Sequence, residues 1–177
     1  MLETERLFLR PMNKTDVDAI FALRQDAEMM RFIREPQTKL AEAASWINLV
    51  SSLWKTEKIG LCAVFDKSTD QLIGWCGLWR LKETGATEVG YAIAKDFQKK
   101  GLASEAAARC LEYGFDRLNL DEIVAVARPE NLASCRVMEK IGMKFDFTGK
   151  FYERDLAHYS ISKIVWQKQN RRRTENY

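Results

Sequence analysis

The sequence is poor in residues that hold metals or form disulfides. It has one histidine, His158, and four cysteines, at 62, 76, 110 and 135. No two cysteines form a C-x-x-C pair, and the histidine has no cysteine near it in sequence. A zinc site needs closer, patterned ligands, so no metal is expected, and the cysteines read as reduced, buried apolar side chains. No apolar run reaches the roughly 18 residues that a membrane span needs, so no membrane association is expected. The N-terminus, Met1-Leu2-Glu3-Thr4-Glu5-Arg6, lacks a basic patch followed by an apolar stretch. It does not read as a secretory signal, which leaves the cytoplasm as the default compartment. Nine glycines and three prolines are spread thinly, with no repeat and no linker-like stretch. Three signatures are missing as well: G-x-x-x-x-G-K-[ST], a G-x-G-x-x-G after a strand, and G-x-S-x-G. Their absence argues against a Walker-type nucleotide site, a dinucleotide-binding fold and a serine-hydrolase elbow.

The chain holds 177 residues, 46% hydrophobic and 30% charged, with a net charge of +3. That suits one soluble domain with a sizeable core. We expect the domain over residues 1–167, followed by a basic polar tail over 168–177 that contains Arg171-Arg172-Arg173. The tail reads as solvated and mobile rather than as a nucleic-acid contact.

Periodicity orders the elements. Arg6–Arg10 reads as a strand ending at Pro11. Thr15-Asp16-Val17-Asp18 starts a helix, with Thr15 as its cap. A short helical piece carries Met29, Met30, Phe32 and Ile33 before Pro36. Leu40, Ala43, Ala44, Ile47, Val50 and Leu53 recur at helical spacing, predicting a helix from Thr38 to about Lys55. Leu61–Phe65 and Leu72–Leu78 flank a polar turn and read as a hairpin, with Glu88–Ala94 as a third strand. Ala103–Leu118 is amphipathic and helical. Ile123–Ala127 is a wholly apolar strand. A helix over Leu132–Ile141 ends at Gly142. Phe145–Phe147 and Tyr159–Trp166 read as two last strands joined by a long polar connection. This is an α/β (α+β) order, with one central sheet flanked by helices.

The most informative segment is Gln98-Lys99-Lys100-Gly101-Leu102-Ala103, which joins a strand to a helix. A helix start leaves several backbone N–H groups without partners, usually met by a Ser, Thr, Asp or Asn cap. None of residues 98–101 is a strong cap of that kind. Either Gly101 is a tolerated cap facing water, or Asp96 caps an earlier start, or the N–H groups are kept for an anion. The flanking lysines and the missing side chain at Gly101 suit a bound phosphate or pyrophosphate.

These residues carry a resemblance. Gln98–Ala103 resembles the Q/R-x-x-G-x-G/A motif of the GCN5-related N-acetyltransferases (GNAT). Asn131-Leu132-Ala133-Ser134, with Glu139-Lys140-Ile141-Gly142-Met143, is similar to the N-x-x-S…E-K-x-G-F stretch of the branch that acetylates ribosomal-protein N-termini (Rim-type). Glu5–Pro11 looks like the start of that branch. The resemblance runs from about Leu2 to Trp166. Ala103 replaces a common second glycine and Met143 a common phenylalanine, and neither change removes a needed N–H.

The resemblance implies a GNAT-like domain with a mixed, mostly antiparallel sheet. It implies acetyl-CoA as cosubstrate and direct acetyl transfer to a primary amine. The backbone N–H groups of Gln98, Lys99, Lys100, Gly101, Leu102 and Ala103 would hold the pyrophosphate. The pantetheine arm would pair with the strand near Ala92 and Ile93. Asn131 would bond the pantetheine amide, or only cap its helix. Ser134 would protonate the departing sulfur, or only satisfy a backbone N–H.

Glu88 is the candidate base. It begins the strand and shares a face with the small residues Gly90, Ala92 and Ala94, where burial would raise its pKa. Its alternative is a solvated charge at a strand end. The acceptor is a protein N-terminus or a small-molecule amine. The competing function is a sensor that holds acetyl-CoA without turnover. Base rates for soluble oligomers point to a homodimer.

Overall fold

The computed structural model describes residues 1–175. Its strands are β1 (Leu2–Glu3), β2 (Leu7–Pro11), β3 (Gly60–Asp66), β4 (Gln71–Arg80), β5 (Thr87–Ile93), β6 (Glu122–Ala127), β7 (Lys144–Phe151) and β8 (Arg154–Ser162). They hydrogen-bond in the order β1-β2-β3-β4-β5-β6-β8-β7. The β5–β6 pair is parallel, while β1–β2, β2–β3, β3–β4, β6–β8 and β7–β8 are antiparallel. The helices are α1 (Val17–Gln25), α2 (Ala27–Met30), α3 (Leu40–Thr56), α4 (Leu102–Glu112), α5 (Leu132–Lys140) and α6 (Lys163–Glu175). This is the expected mixed, mostly antiparallel sheet with helices.

The chain forms two compact units, Met1–Trp79 with Gly90–Cys110, and Arg80–Val89 with Leu111 onward. The first packs α1–α3 onto its strands through Ile20, Met30, Ala43, Ile47 and Val50, with Ala63, Trp75 and Ala92 from the sheet. Burying such aliphatic side chains contributes about 1.5–3 kcal/mol each, less the entropy of ordering them. Cys62, Cys76 and Cys110 are buried here as free thiols. The second unit has its own cluster of Leu81, Val124, Phe151 and Leu156. The fourth cysteine, Cys135, is free and half-buried in that unit.

Three local expectations are corrected. The chain enters α1 through a 3₁₀ turn over Lys14–Asp16 that Asn13, not Thr15, caps: the Asn13 side chain accepts the Thr15 N–H, and Asp16 accepts the Asn13 N–H at 2.8 Å. Thr15 instead donates its hydroxyl to Asn13 at 2.6 Å. The long polar connection between the last two strands is itself strand. Lys144–Phe151 and Arg154–Ser162 form a long hairpin turning on Tyr152 and Glu153. The alternation was hidden because β7 faces solvent along most of its length.

Trp166 belongs to helix rather than strand, and α6 runs on through residues 168–175. Gln169 anchors this helix, its amide donating to the Gly142 carbonyl at 3.3 Å. Gly142 is the expected C-terminal cap, at φ +95°. A Cβ there would also lie 2.0 Å from Gln169 Oε1.

Candidate active site

The first unit contains the Gln98–Ala103 loop. A 3₁₀ turn over Lys95–Phe97 leads out of β5, and the Gln98 side chain turns back to donate to the Ile93 carbonyl at 2.8 Å. Lys99 has φ +60° and Gly101 φ +80°, both left-handed. That conformation costs a lysine about 1 kcal/mol or more, and alternating left-handed residues are the backbone pattern of anion-binding nests. The helical ladder opens with Glu105 N–H donating to Gly101 C=O at 3.0 Å. The N–H groups of residues 101–104 therefore stand ahead of the first intrahelical bond. Gly101 has no side chain to fill them.

The loop is clamped by the turn between β1 and β2, a feature that sequence reasoning missed. Arg6 donates through Nη1 to the Lys100 carbonyl at 3.0 Å and through Nε to Glu105 at 2.7 Å. The Arg6 N–H and the Thr4 hydroxyl reach the same carboxylate. Burial pushes the Glu105 carboxyl upward, but the bonds from Thr4 and Arg6 outweigh it and hold it below its ordinary value. The only signal in the sequence was the Glu5-Arg6-Leu7 opening itself.

The second unit holds Glu88, 8% exposed at the start of β5. Its register partner on β6 is Val124. Tyr152 donates its hydroxyl to Glu88 Oε2 at 2.6 Å. The Tyr152 N–H donates to Glu83 at 2.5 Å, which fixes the hairpin tip. Burial pushes the Glu88 carboxyl up, the Tyr152 hydrogen bond pulls it down, and the Glu83 charge adds a smaller upward push; it settles at about 7. Tyr152 is held well above the ordinary phenol value by burial and by the Glu88 charge. Sequence reasoning named Glu88 as a candidate base but not Tyr152 as its partner, because the hairpin that carries the tyrosine was not legible.

In the same unit Asn131 caps α5, its Oδ1 accepting the Ser134 N–H at 3.2 Å. His158 meets Asp146 at 3.0 Å and stacks on Phe147 at 4.8 Å. Asp146 is placed there by a register shift between Phe145 and Phe147. No cluster of metal-binding side chains occurs among the described residues.

Residues 6–144 match the acetyltransferase (GNAT) domain. The chain belongs to the GNAT acetyltransferase family. This GNAT chain is 32% identical over 155 residues to the uncharacterized N-acetyltransferase p20 of Bacillus licheniformis, covering 86% of this chain and 87% of that protein. It is 34% identical over 143 residues to the uncharacterized N-acetyltransferase YnaD of Bacillus subtilis, covering 81% and 82%. Among solved structures it is similar to a GNAT-family acetyltransferase from Bacillus anthracis, with TM-score 0.79 and 27% identity, over 92% of this chain and 98% of that one. The GNAT chain is thus an acetyl-CoA-dependent transferase that acetylates amines.

Proposed function

We propose that the acceptor is an α-amino group, as at a protein N-terminus, and that it attacks the thioester directly without an acyl-enzyme. The N–H groups of Lys99, Lys100, Gly101, Leu102 and Ala103 receive the pyrophosphate, while the Gln98 N–H, expected to join them, instead closes the 3₁₀ turn on the Lys95 carbonyl at 3.1 Å; the backbone of Ala92 and Ile93 takes the pantetheine arm. Asn131, whose side-chain oxygen is used in capping, offers its amide nitrogen to a pantetheine carbonyl. Glu88 accepts the amine proton through water as the carbon–nitrogen bond forms. Ser134 passes a proton to the sulfur as the carbon–sulfur bond breaks, and water returns a proton to its hydroxyl while Glu88 releases the amine proton to solvent. The Rim-type resemblance of Asn131–Ser134 and Glu139–Met143 supports the protein N-terminus over other amines.

The observation that carries this reading is the Glu88 carboxyl, buried and raised to about 7. An α-amino group titrates near ~8, within reach of such a base, whereas a lysine side chain near ~10.4 lies far above it.

The test is a thiol-release assay with peptides of free N-terminus, lysine peptides blocked at the N-terminus, and polyamines, run on wild type and Gly101→Glu. Release with free N-termini alone, lost in the folded variant, is the expected result. Release with only polyamines or blocked lysine peptides would remove the α-amino assignment. Binding of acetyl-CoA without transfer to any panel member would favour the sensor.

A further inference from the structure

Arg24 is a buried cation with no ion-pair partner among the described residues. It is the penultimate residue of α1 and only 2% exposed. Its Nε and Nη2 have no hydrogen-bond partner among the described residues. Leaving buried donors unmatched is costly, the more so when they carry charge. These two nitrogens are adjacent, and together they form the side-on fork by which a guanidinium grips a carboxylate through two parallel bonds.

The surroundings shape what can use that fork. The guanidinium lies 3.9 Å from the Trp46 ring centroid and 5.4 Å from that of Trp75. The two tryptophans meet edge to face at 5.4 Å. Both rings lie within cation–π distance of the guanidinium and form apolar walls beside the Nε–Nη2 edge.

Charges of both signs lie near. Arg34 disfavours the Arg24 charge and Glu42 favours it, but the Glu42 carboxylate is spent on the N–H groups of Thr38 and Lys39, at 2.9 and 3.1 Å, rather than on the Arg24 fork. Burial is the larger effect and lowers Arg24 to about 10, so the group stays cationic at neutral pH.

Gln37 belongs to the same patch. Its N–H donates to the Arg24 carbonyl at 2.8 Å, it is 7% exposed, and its Oε1 also lacks a partner. It sits in residues 31–39, which form neither helix nor strand. A carboxylate entering this patch breaks no hydrogen bond at either orphan group. Trp75 packs in the same cluster as Ala92. At neighbouring Gly74 an added Cβ would lie 2.1 Å from the Ala92 carbonyl oxygen. The stack therefore adjoins the strand position proposed for the pantetheine arm.

We propose that Arg24 recognises a carboxylate carried by the amine acceptor, which makes this enzyme selective for acidic amines. The inference rests on the proposed transfer to an α-amino group. The carboxylate comes either from a free amino acid or from an acidic side chain at a peptide N-terminus.

The test compares kcat/KM for matched acceptors: a free amino acid against its amide, and an Asp-initiated peptide against its Asn counterpart. Wild type, Arg24→Lys and Arg24→Gln are used, with the melting temperature as a control of folding. Lys keeps the charge and the stem but lacks the paired fork. Wild type should favour one carboxylate member by about ten-fold or more, and both variants should lose that ratio while KM for acetyl-CoA holds. The pair that discriminates identifies the source of the carboxylate.

Equal rates within both pairs in wild type, as a trapped water at the fork would give, overturn the proposal. So does a ratio that survives in Arg24→Lys. Calorimetry with the N-acetylated Asp and Asn peptides on wild type reads the same preference without turnover. If no amine is acetylated yet the Asp form binds more tightly, transfer to an α-amino group fails while the carboxylate site stands.

Discussion

At the scale of single residues, Glu88 ties chemistry to stability. An unfolded glutamate titrates near 4.5, and the folded one near 7 because burial opposes its charge. The folded state therefore holds a proton that the unfolded chain releases between these values. Stability from this group is complete below pH 4.5 and is lost as pH rises through 7, a change on the order of 3 kcal/mol. Glu88→Gln keeps an oxygen for the Tyr152 hydroxyl but cannot ionise. Denaturant unfolding should find the variant no more stable than wild type at pH 4.5 and more stable above pH 7.5. Activity should move the opposite way, falling most where wild type has Glu88 ionised. Tyr152→Phe removes a bond that favours the carboxylate, so the acidic limb of kcat/KM should move to higher pH. A limb that stays in place in both variants would show that Glu88 does not set it. Glu88 was legible because strand alternation put it among small residues. Its upward shift follows from the burial expected there, but the opposing hydrogen bond from Tyr152 did not show in the sequence, since the tyrosine lies 64 residues away.

Elements were legible where periodicity was strong. The expected helix from Thr38 to about Lys55 is α3, and the hairpin of Leu61–Phe65 and Leu72–Leu78 is β3–β4 within two residues at the ends. Ala103–Leu118 is helical throughout, but it widens after Glu112 into a π turn over Tyr113–Arg117, closed by Leu118 N–H to Tyr113 C=O at 3.2 Å. The β7–β8 hairpin escaped notice for a specific reason. Two-residue turns that take positive φ at both central residues favour Asn-Gly or Asp-Gly. Here Tyr152 and Glu153 occupy them, at φ +50° and +62°. The tyrosine is held by Glu88 and Glu83, while the Glu153 side chain is exposed. Glu153→Gly should relieve left-handed strain and stabilise the fold by about 1 kcal/mol in urea unfolding, without altering the acidic limb of the pH profile. A loss of stability would mean that the glutamate side chain contributes more than its backbone costs.

At the scale of the whole molecule, element order and the loop motif pointed to the family, because both are written in local sequence. The C-terminal helix was not read. Residues 163–175 are too polar to show a helical stripe, and their anchor on Gly142 is a contact between distant residues. The clamp of Thr4, Arg6 and Glu105 was invisible for the same reason. That clamp makes a global prediction about cofactor binding. A ligand that binds only the native chain adds RT ln(1 + [L]/Kd) to stability, about 2.7 kcal/mol at one hundred times Kd. For a chain of this size acetyl-CoA should then raise the melting temperature by roughly 5–10 °C. Arg6→Ala frees the Lys100 carbonyl and weakens the hold on Glu105 without touching any loop N–H. It should lower the melting temperature of the free protein and also raise the acetyl-CoA concentration needed for the shift, because loop order must then be supplied on binding. If Arg6→Ala lowers the free melting temperature but leaves that concentration unchanged, the clamp stabilises the fold without preparing the loop for the cofactor.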